Sequence, residues 1–323
     1  MLAIQIARTG GPDVLEVVDL PTPSPGPGQI LVRHEAIGLN FVDTYIRSGL
    51  YPVTPPLVLG SEAAGVVESV GEGVTRFAPG DRVGYGAGPV GAYAEFHVVS
   101  QDRAAGLPAA VSTRMAAAMM LKGMTAEFLL RRCYPLKAGE PALIWAAAGG
   151  VGLILSQWAK AIGAVTIGCV GSPDKAALAR AHGCDHVILY KTEDVAARVR
   201  EITGGQGVRV SYDGVGKASF DASLESLGRR GMLVSFGNAS GPAPPVEPLA
   251  LSRGGSLYLT RPTMYDYVTS REEHDESAAA LFDVVLSGKV KIEIGAEFPL
   301  REARKAHEAI QSGDTVGSTL LIP

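Results

Sequence analysis

The chain has 323 residues, 46% of them hydrophobic and 19% charged, with a formal net charge of −4. That balance excludes a disordered polyelectrolyte; the lack of a basic run or basic amphipathic face argues against a nucleic-acid or other polyanion partner, and no window is long and apolar enough for a membrane span. Cys133, Cys169 and Cys184 form no C-x-x-C pair, so neither a disulfide framework nor a cysteine zinc site is expected, and with no signal-peptide pattern at the N-terminus the expected location is the cytoplasm.

At this length two domains are expected. Up to about residue 120 the texture is β-rich. Short runs predict strands at Leu2–Ile6, Leu15–Val18, Ile30–Glu35, Ala64–Val70, Arg82–Tyr85 and Ala92–Val99, and the proline-rich stretch 21–28 reads as a rigid connector. From Ala116 to Arg131 the pattern becomes helical and apolar nearly all round, which predicts a buried helix. From Ala142 to about Leu259 strands alternate with helices: strand Val165–Val170, helix Asp174–His182, strand His186–Ile188, helix Val195–Ile202, strand Val208–Tyr212, helix Ser219–Leu227, then strands Met232–Phe236 and Ser256–Thr260. Alternation of this kind predicts a parallel sheet covered on both faces. A helix (Glu272–Leu286), a strand near Val290–Ile294, a helix (Leu300–Ser312) and a last strand (Ser318–Ile322) follow, and they are assigned back to the first domain. The expected division is 1–122 plus 262–323 for the β-rich domain and 123–261 for the inserted nucleotide domain.

The most informative stretch is Ala142 to Gly163. An apolar strand leads into a loop of small residues, Ala146 to Gly152, and a helix follows from Leu153 to Ile162. With the next strand this is one βαβ unit. Ala148, Gly149, Gly150, Val151 and Gly152 would let a pyrophosphate approach the N–H groups at the positive end of the helix. The spacing Ala147-x-Gly149-x-x-Gly152 replaces the first glycine of the dinucleotide fingerprint by alanine, so the glycines could also serve only close packing of helix on strand; the flanking elements favour the cofactor. About 20 residues on, where an NAD site places an acid against the ribose, this chain has Gly171 followed by Ser172 and Lys175. A missing carboxylate removes repulsion and a lysine adds attraction for a 2′-phosphate, so NADPH is preferred over NADH. Lys175 could equally be a solvated lysine in a first helical turn.

Several motifs in order carry a resemblance over essentially the whole chain: Ala36 to Tyr45, Gly60-Ser61-Glu62-Ala63-Ala64-Gly65, Ala78-Pro79-Gly80-Asp81-Arg82-Val83, Leu121-Lys122-Gly123-Met124-Thr125, Ala146 to Gly152, Tyr212 to Gly216, Val234 to Asn238 and Leu259 to Pro262. The chain resembles the quinone oxidoreductase (zeta-crystallin-like) branch of the zinc-independent medium-chain dehydrogenases/reductases. That resemblance implies an α/β architecture in which a Rossmann doubly wound parallel sheet is inserted into a GroES-like β-rich catalytic domain. It also implies a homodimer with NADPH between the domains. Zinc-dependent relatives carry cysteine and histidine where this chain has Asn40 and Ser61, groups that ligate zinc poorly, so no metal is expected.

By the same resemblance Asn40, Tyr45, Tyr51, Thr125 and Arg261 are the candidate catalytic residues near the nicotinamide and substrate. Lys175 and Tyr190 would hold the adenosine phosphate end, and Gly171, Ser172, Phe236, Gly237 and Asn238 complete the cofactor set. Family members often carry a basic residue near position 313, where this chain has Gly313. A hydride donor beside neutral hydrogen-bonding groups suits a quinone or conjugated enone, whose carbonyl oxygen gains charge as hydride arrives. Three readings follow: an NADPH-dependent quinone oxidoreductase, a reductase of enones, alkenals or enoyl thioesters, and a non-enzymatic nucleotide-dependent RNA-binding or structural protein, the last disfavoured by the acidic balance. The apolar run Gly255–Thr260 is expected at a sheet edge, where pairing with a second copy would bury Leu257 and Leu259.

Overall fold

The computed structural model describes residues 1–323. The chain forms two compact units: Met1–Met124 with Val268–Phe282 and Ile292–Pro323, and Thr125–Tyr267 with Asp283–Lys291. In chain order the first part of the β-rich unit carries β1 (Leu2–Ile6), β2 (Leu15–Asp19), β3 (Gln29–Leu39), α1 (Phe41–Ser48), β4 (Leu57–Val58), β5 (Glu62–Val70), β6 (Arg82–Tyr85), β7 (Phe96–Ser100), β8 (Ala105–Gly106) and most of α2 (Thr113–Phe128), whose last turn is counted with the other unit. The other unit carries β9 (Pro141–Trp145), α3 (Gly150–Ile162), β10 (Val165–Val170), α4 (Pro173–Ala181), β11 (His186–Leu189), α5 (Val195–Ile202), β12 (Val208–Asp213), α6 (Phe220–Glu225), β13 (Leu227–Ser235), α7 (Pro248–Arg253) and β14 (Tyr258–Thr260). The chain ends with α8 (Arg271–Leu286), β15 (Ile294–Pro299), α9 (Ala303–Ser312) and β16 (Ser318–Ile322).

In the β-rich unit a seven-stranded sheet runs β15-β16-β3-β5-β6-β8 with β7 also on β3, and a three-stranded sheet runs β2-β1-β4. β3 is the spine because it runs over 11 residues, is buried along most of its length and pairs with β5, β7 and β16. Ile4, Ile6, Ile30, Val32, Leu39, Tyr85 and Tyr93 are among its core. The stretch expected as one strand from Ala92 is shorter. Residues 92–95 cross from one sheet to the other, Ile4 N–H donating to Tyr93 O (2.8 Å) and His34 N–H to Glu95 O (2.8 Å), so only Phe96–Ser100 joins the ladder.

The second unit has one parallel sheet in the order β11-β10-β9-β12-β13-β14, the doubly wound arrangement with its reversal between β9 and β12. Leu143, Ile167, Cys169, Ile188, Val199, Val208 and Leu233 build its core. Both of the chain's tryptophans lie here, Trp145 at the C-terminal end of β9 and Trp158 on α3.

Three departures from the sequence reading have local causes. Val290 and Lys291 do not begin a strand: Val290 N–H donates to Val284 O (3.1 Å), and Gln157 exchanges two bonds with the Lys291 backbone (2.9 and 3.0 Å), which ties this segment into the nucleotide unit. The buried helix starts earlier than expected, and after Phe128 it widens into a π turn over Leu129–Cys133. The last strand of the parallel sheet is short because Gly255 (φ 109°) and Ser256 (φ 59°) are left-handed and cannot pair. Leu257 is therefore part of the core at 9% exposure and is not available to a second copy.

Candidate active site

In the β-rich unit the candidate residues gather around α1. Asn40 caps this helix, its N–H donating to the Asp43 carboxylate (2.9 Å), and Gly49 ends it in the left-handed conformation (φ 82°). The chain then folds back, Tyr51 N–H donating to Tyr45 O (3.1 Å), which sets the two rings edge to face at 5.4 Å. Tyr45 and Tyr51 are thus brought together by one helical turn and its cap. A capping residue followed three positions later by an acid, with glycine after the last turn, is the signal that could have revealed this helix.

The Asn40 side chain is not idle. Its Nδ2 donates to Glu62 Oε2 (2.9 Å) and, at longer range, to Gly38 O (3.4 Å). Glu62, fully buried, also accepts from Leu121 N–H (2.7 Å) and from the Lys122 ammonium (2.7 Å), whose side chain is 5% exposed. Glu62 is thus the hub of a buried ion pair that fixes the amide of Asn40.

Ser61 Oγ donates to Asp43 (2.8 Å), and Tyr93 donates to the same carboxylate (3.1 Å). Burial raises Asp43 to about 6 in spite of these donors. Beyond Tyr93 the direction of the chain is set by Arg47, which can only donate. Its Nη1 donates to His307 Nδ1 (3.0 Å), so His307 carries its proton on Nε2 and gives it to the Tyr93 oxygen (3.0 Å). Asn40 and Ser61, the two positions where zinc-dependent relatives carry ligands, are held by carboxylates here, and no group of three His, Cys, Asp or Glu residues could hold a metal ion.

In the nucleotide unit the loop after β9 lies beside the point where strand order reverses. Gly149 is the N-cap of α3, and no side chain caps the 13-residue helix. The N–H groups of Gly150, Val151 and Gly152 precede the first helical bond, Leu153 N–H to Gly149 O (2.9 Å), and point toward an incoming anion. Gly149 and Gly152 differ in kind. A Cβ on Gly152 would stand 2.2 Å from Ala146 O, whereas one on Gly149 would meet only that oxygen at 3.2 Å. Ala147, which replaces the first glycine of the fingerprint, is accommodated by Gly168, whose own Cβ would come within 2.8 Å of the Ala147 methyl. The turn that a glycine would otherwise make is taken by Ala146 at φ 51°.

The remaining candidates in this unit flank the same edge. Gly171 lies under the Tyr190 side chain, whose hydroxyl a Cβ would meet at 2.8 Å. Ser172 Oγ caps α4 by accepting Lys175 N–H (3.4 Å). Phe236 lies over Gly214, and a Cβ on Gly237 would stand 2.3 Å from Gly214 O, so the loops after β12 and β13 interlock. Asn238 O accepts Gly241 N–H (2.9 Å). Asp213 pins this arrangement, accepting from Val215 and Gly216 N–H and from the Ser219 and Ser223 hydroxyls at 2.6–3.0 Å. Thr125 Oγ1 faces Met264 Sδ (4.0 Å), and Arg261 Nη1 donates to Pro262 O (3.3 Å). The sequence reading missed Trp145, whose indole N–H is buried without a partner and whose ring lies 5.9 Å from Tyr190; Ser235, in the Val234-to-Asn238 motif, also has a buried hydroxyl without a partner. An uncapped helix, buried orphan donors and a glycine-lined edge fit a dinucleotide.

Residues 26–109 match the family model described as the alcohol dehydrogenase GroES-like domain, and residues 150–283 the one described as zinc-binding dehydrogenase. A quinone oxidoreductase of Pseudomonas aeruginosa is 51% identical over 321 residues, covering 99% of both chains. The chain belongs to the quinone oxidoreductase branch of the medium-chain dehydrogenase/reductase superfamily. Within this branch the Escherichia coli quinone oxidoreductase, solved as a complex with NADPH, superposes with a TM-score of 0.98 at 48% identity over 100% of both chains. The branch also includes a 2-haloacrylate reductase from Burkholderia, 44% identical over 330 residues and covering 100% of this chain and 99% of its own. No helix of this chain is long and apolar enough to cross a membrane.

Proposed function

We propose that this chain is a zinc-independent oxidoreductase that transfers reducing equivalents from NADPH to quinones. The observation that carries the reading is the first turn of α3, an uncapped helix N-terminus at the reversal of a doubly wound sheet, with glycine and not an acid at position 171. The first turn of α3 would hold the pyrophosphate, the bound cofactor would supply hydride from its reduced nicotinamide, and reduction of a quinone to the hydroquinone takes up one hydride and one proton.

This chain's own groups orient and polarise. Because both N–H bonds of Asn40 are directed at Glu62 and Gly38, Asn40 acts by holding the turn that carries Tyr45 and Tyr51, the residues proposed to line the substrate cleft. Thr125 and Arg261 stand in the proposed set on the family resemblance. Amide and hydroxyl groups already engaged with carboxylates do not recruit zinc, so turnover should survive exhaustive chelation. The deciding assay is anaerobic oxidation of NADPH with p-quinones. Absence of turnover with every quinone tested would overturn the proposal.

A second reading is favoured by the 2-haloacrylate reductase relative: reduction of a carbon–carbon double bond conjugated to a carbonyl or carboxyl group. The same cofactor residues serve both, and the ratio of kcat/KM for quinones to that for haloacrylates and alkenals separates them. Three unpaired cysteine thiols suit the cytoplasm. We also propose a homodimer through β14, which is the edge of the six-stranded sheet and presents Tyr258 at 56% exposure.

A further inference from the structure

β11 ends at Leu189, and there the chain turns back on β10: Tyr190 N–H donates to Val170 O (3.2 Å). This turn lays two consecutive side chains over Gly171, the position where an acid would select NAD. A Cβ built on Gly171 lies 2.8 Å from the Tyr190 hydroxyl and 3.4 Å from Cε of Lys191. Tyr190 is 44% exposed, and Lys191 is exposed and makes no hydrogen bond or ion pair.

The charges around this edge decide what it attracts. In the first turn of α4, Asp174 precedes Lys175, so that turn alone carries no net charge. Glu193 is turned away and matched, accepting Leu189 N–H (2.7 Å) and pairing with Arg198 (3.0 Å). Lys191 is therefore the residue that makes the edge positive. Ser172, whose Oγ accepts Lys175 N–H, still has a hydroxyl proton to donate but is neutral and adds no positive charge.

We propose that Lys191 is a specificity-determining residue: it grips the 2′-phosphate of NADPH together with Lys175 and the Tyr190 hydroxyl. The inference rests on the NADPH reading above. An ammonium is a point charge on a flexible stem, so an exposed lysine beside a backbone without Cβ can follow the phosphate oxygens as they arrive.

The test is equilibrium binding, read by calorimetry with NADPH, NADH, 2′,5′-ADP and 5′-AMP. Lys191→Ala weakens NADPH and 2′,5′-ADP by roughly three- to tenfold, as expected for one exposed charge-assisted contact, and moves NADH and 5′-AMP by less than about twofold. Lys191→Arg keeps most of the preference, and Lys191→Glu removes more of it than alanine does. Raising salt narrows the difference between the parent and Lys191→Ala. Equal loss for both cofactors, or no change for either, overturns the role of Lys191 while leaving the NADPH reading intact. A parent protein that binds NADPH and NADH equally refutes the NADPH reading itself.

Discussion

Replacing Glu62 by glutamine probes the ion pair on which the Asn40 amide rests. Glu62 is 0% exposed and the Lys122 side chain 5%, so water cannot take over when the carboxylate charge is removed. Breaking one side of such a pair costs about 3–5 kcal/mol, because the remaining ammonium stays buried without its counter-charge. Lys122→Met fares somewhat better, since Glu62 keeps the Leu121 and Asn40 donors at 2.7 and 2.9 Å. The double variant Glu62→Gln/Lys122→Met removes both charges, retains an oxygen acceptor, and costs less than about 2 kcal/mol. Urea denaturation of the four proteins measures the coupling, which should exceed about 2 kcal/mol. Additive single effects, or a cost for Glu62→Gln under about 1 kcal/mol, would refute the sealed pair. In the double variant stability returns while kcat stays low, because a neutral acceptor holds Asn40 less firmly than the carboxylate does.

Three further outcomes follow from the geometry. Burial holds His34 and His307 down at about 3 and His97 at about 4, so the stability they contribute is present above their ordinary value of 6.5 and is lost as pH falls through those depressed values. Asp43, raised to about 6, acts in the opposite sense, stabilising below 3.8 and losing that contribution as pH rises through 6; each buried histidine outweighs or matches it at about 3–5 kcal/mol, so Tm should fall steadily below pH 6, and a flat profile to pH 4 would contradict the assignment. Gly149→Val should leave circular dichroism and Tm nearly unchanged and weaken NADPH binding at least about tenfold, whereas Gly152→Ala should lower stability by about 2 kcal/mol or more through its 2.2 Å clash with Ala146 O; similar Tm losses in both would show that the two glycines do the same work. Tyr258→Lys at the β14 edge should shift sedimentation toward monomer without loss of Tm in the nucleotide unit, and a parent that sediments as monomer at micromolar concentration would remove the dimer; a substitution at Leu257 would not test the edge, because Leu257 fills the core.

Regular alternation made the nucleotide unit readable from its residues. Val165–Val170 and Val195–Ile202 fall where the apolar spacing places them, because buried parallel strands and their covering helices leave little choice of register. The end of that sheet was harder, since left-handed Ser256 carries no sequence mark that glycine would have given. α1 escaped notice because its eight residues are short and its capping pattern sits at the end of a long strand. The geometry of the candidate site was legible where it is local, as in the Gly149–Gly152 turn into α3. It was not legible where partners are distant in sequence: Glu62 with Lys122 and Asn40, or Arg47 with His307, meet only after the sheet has formed.

The placement of both tryptophans on β9 and α3 divides the molecule spectroscopically. Tyr45, Tyr51, Tyr85 and Tyr93 are the only large chromophores of the β-rich unit besides phenylalanine, and the histidines that make it acid-sensitive lie beside them. Acid opening of that unit would therefore pass almost unseen in tryptophan emission and appear in tyrosine absorbance. The indole of Trp145, next to Tyr190 at the proposed cofactor edge, reports the opposite event: its light overlaps the absorption of a reduced nicotinamide, and energy transfer from it would count bound cofactor without any label.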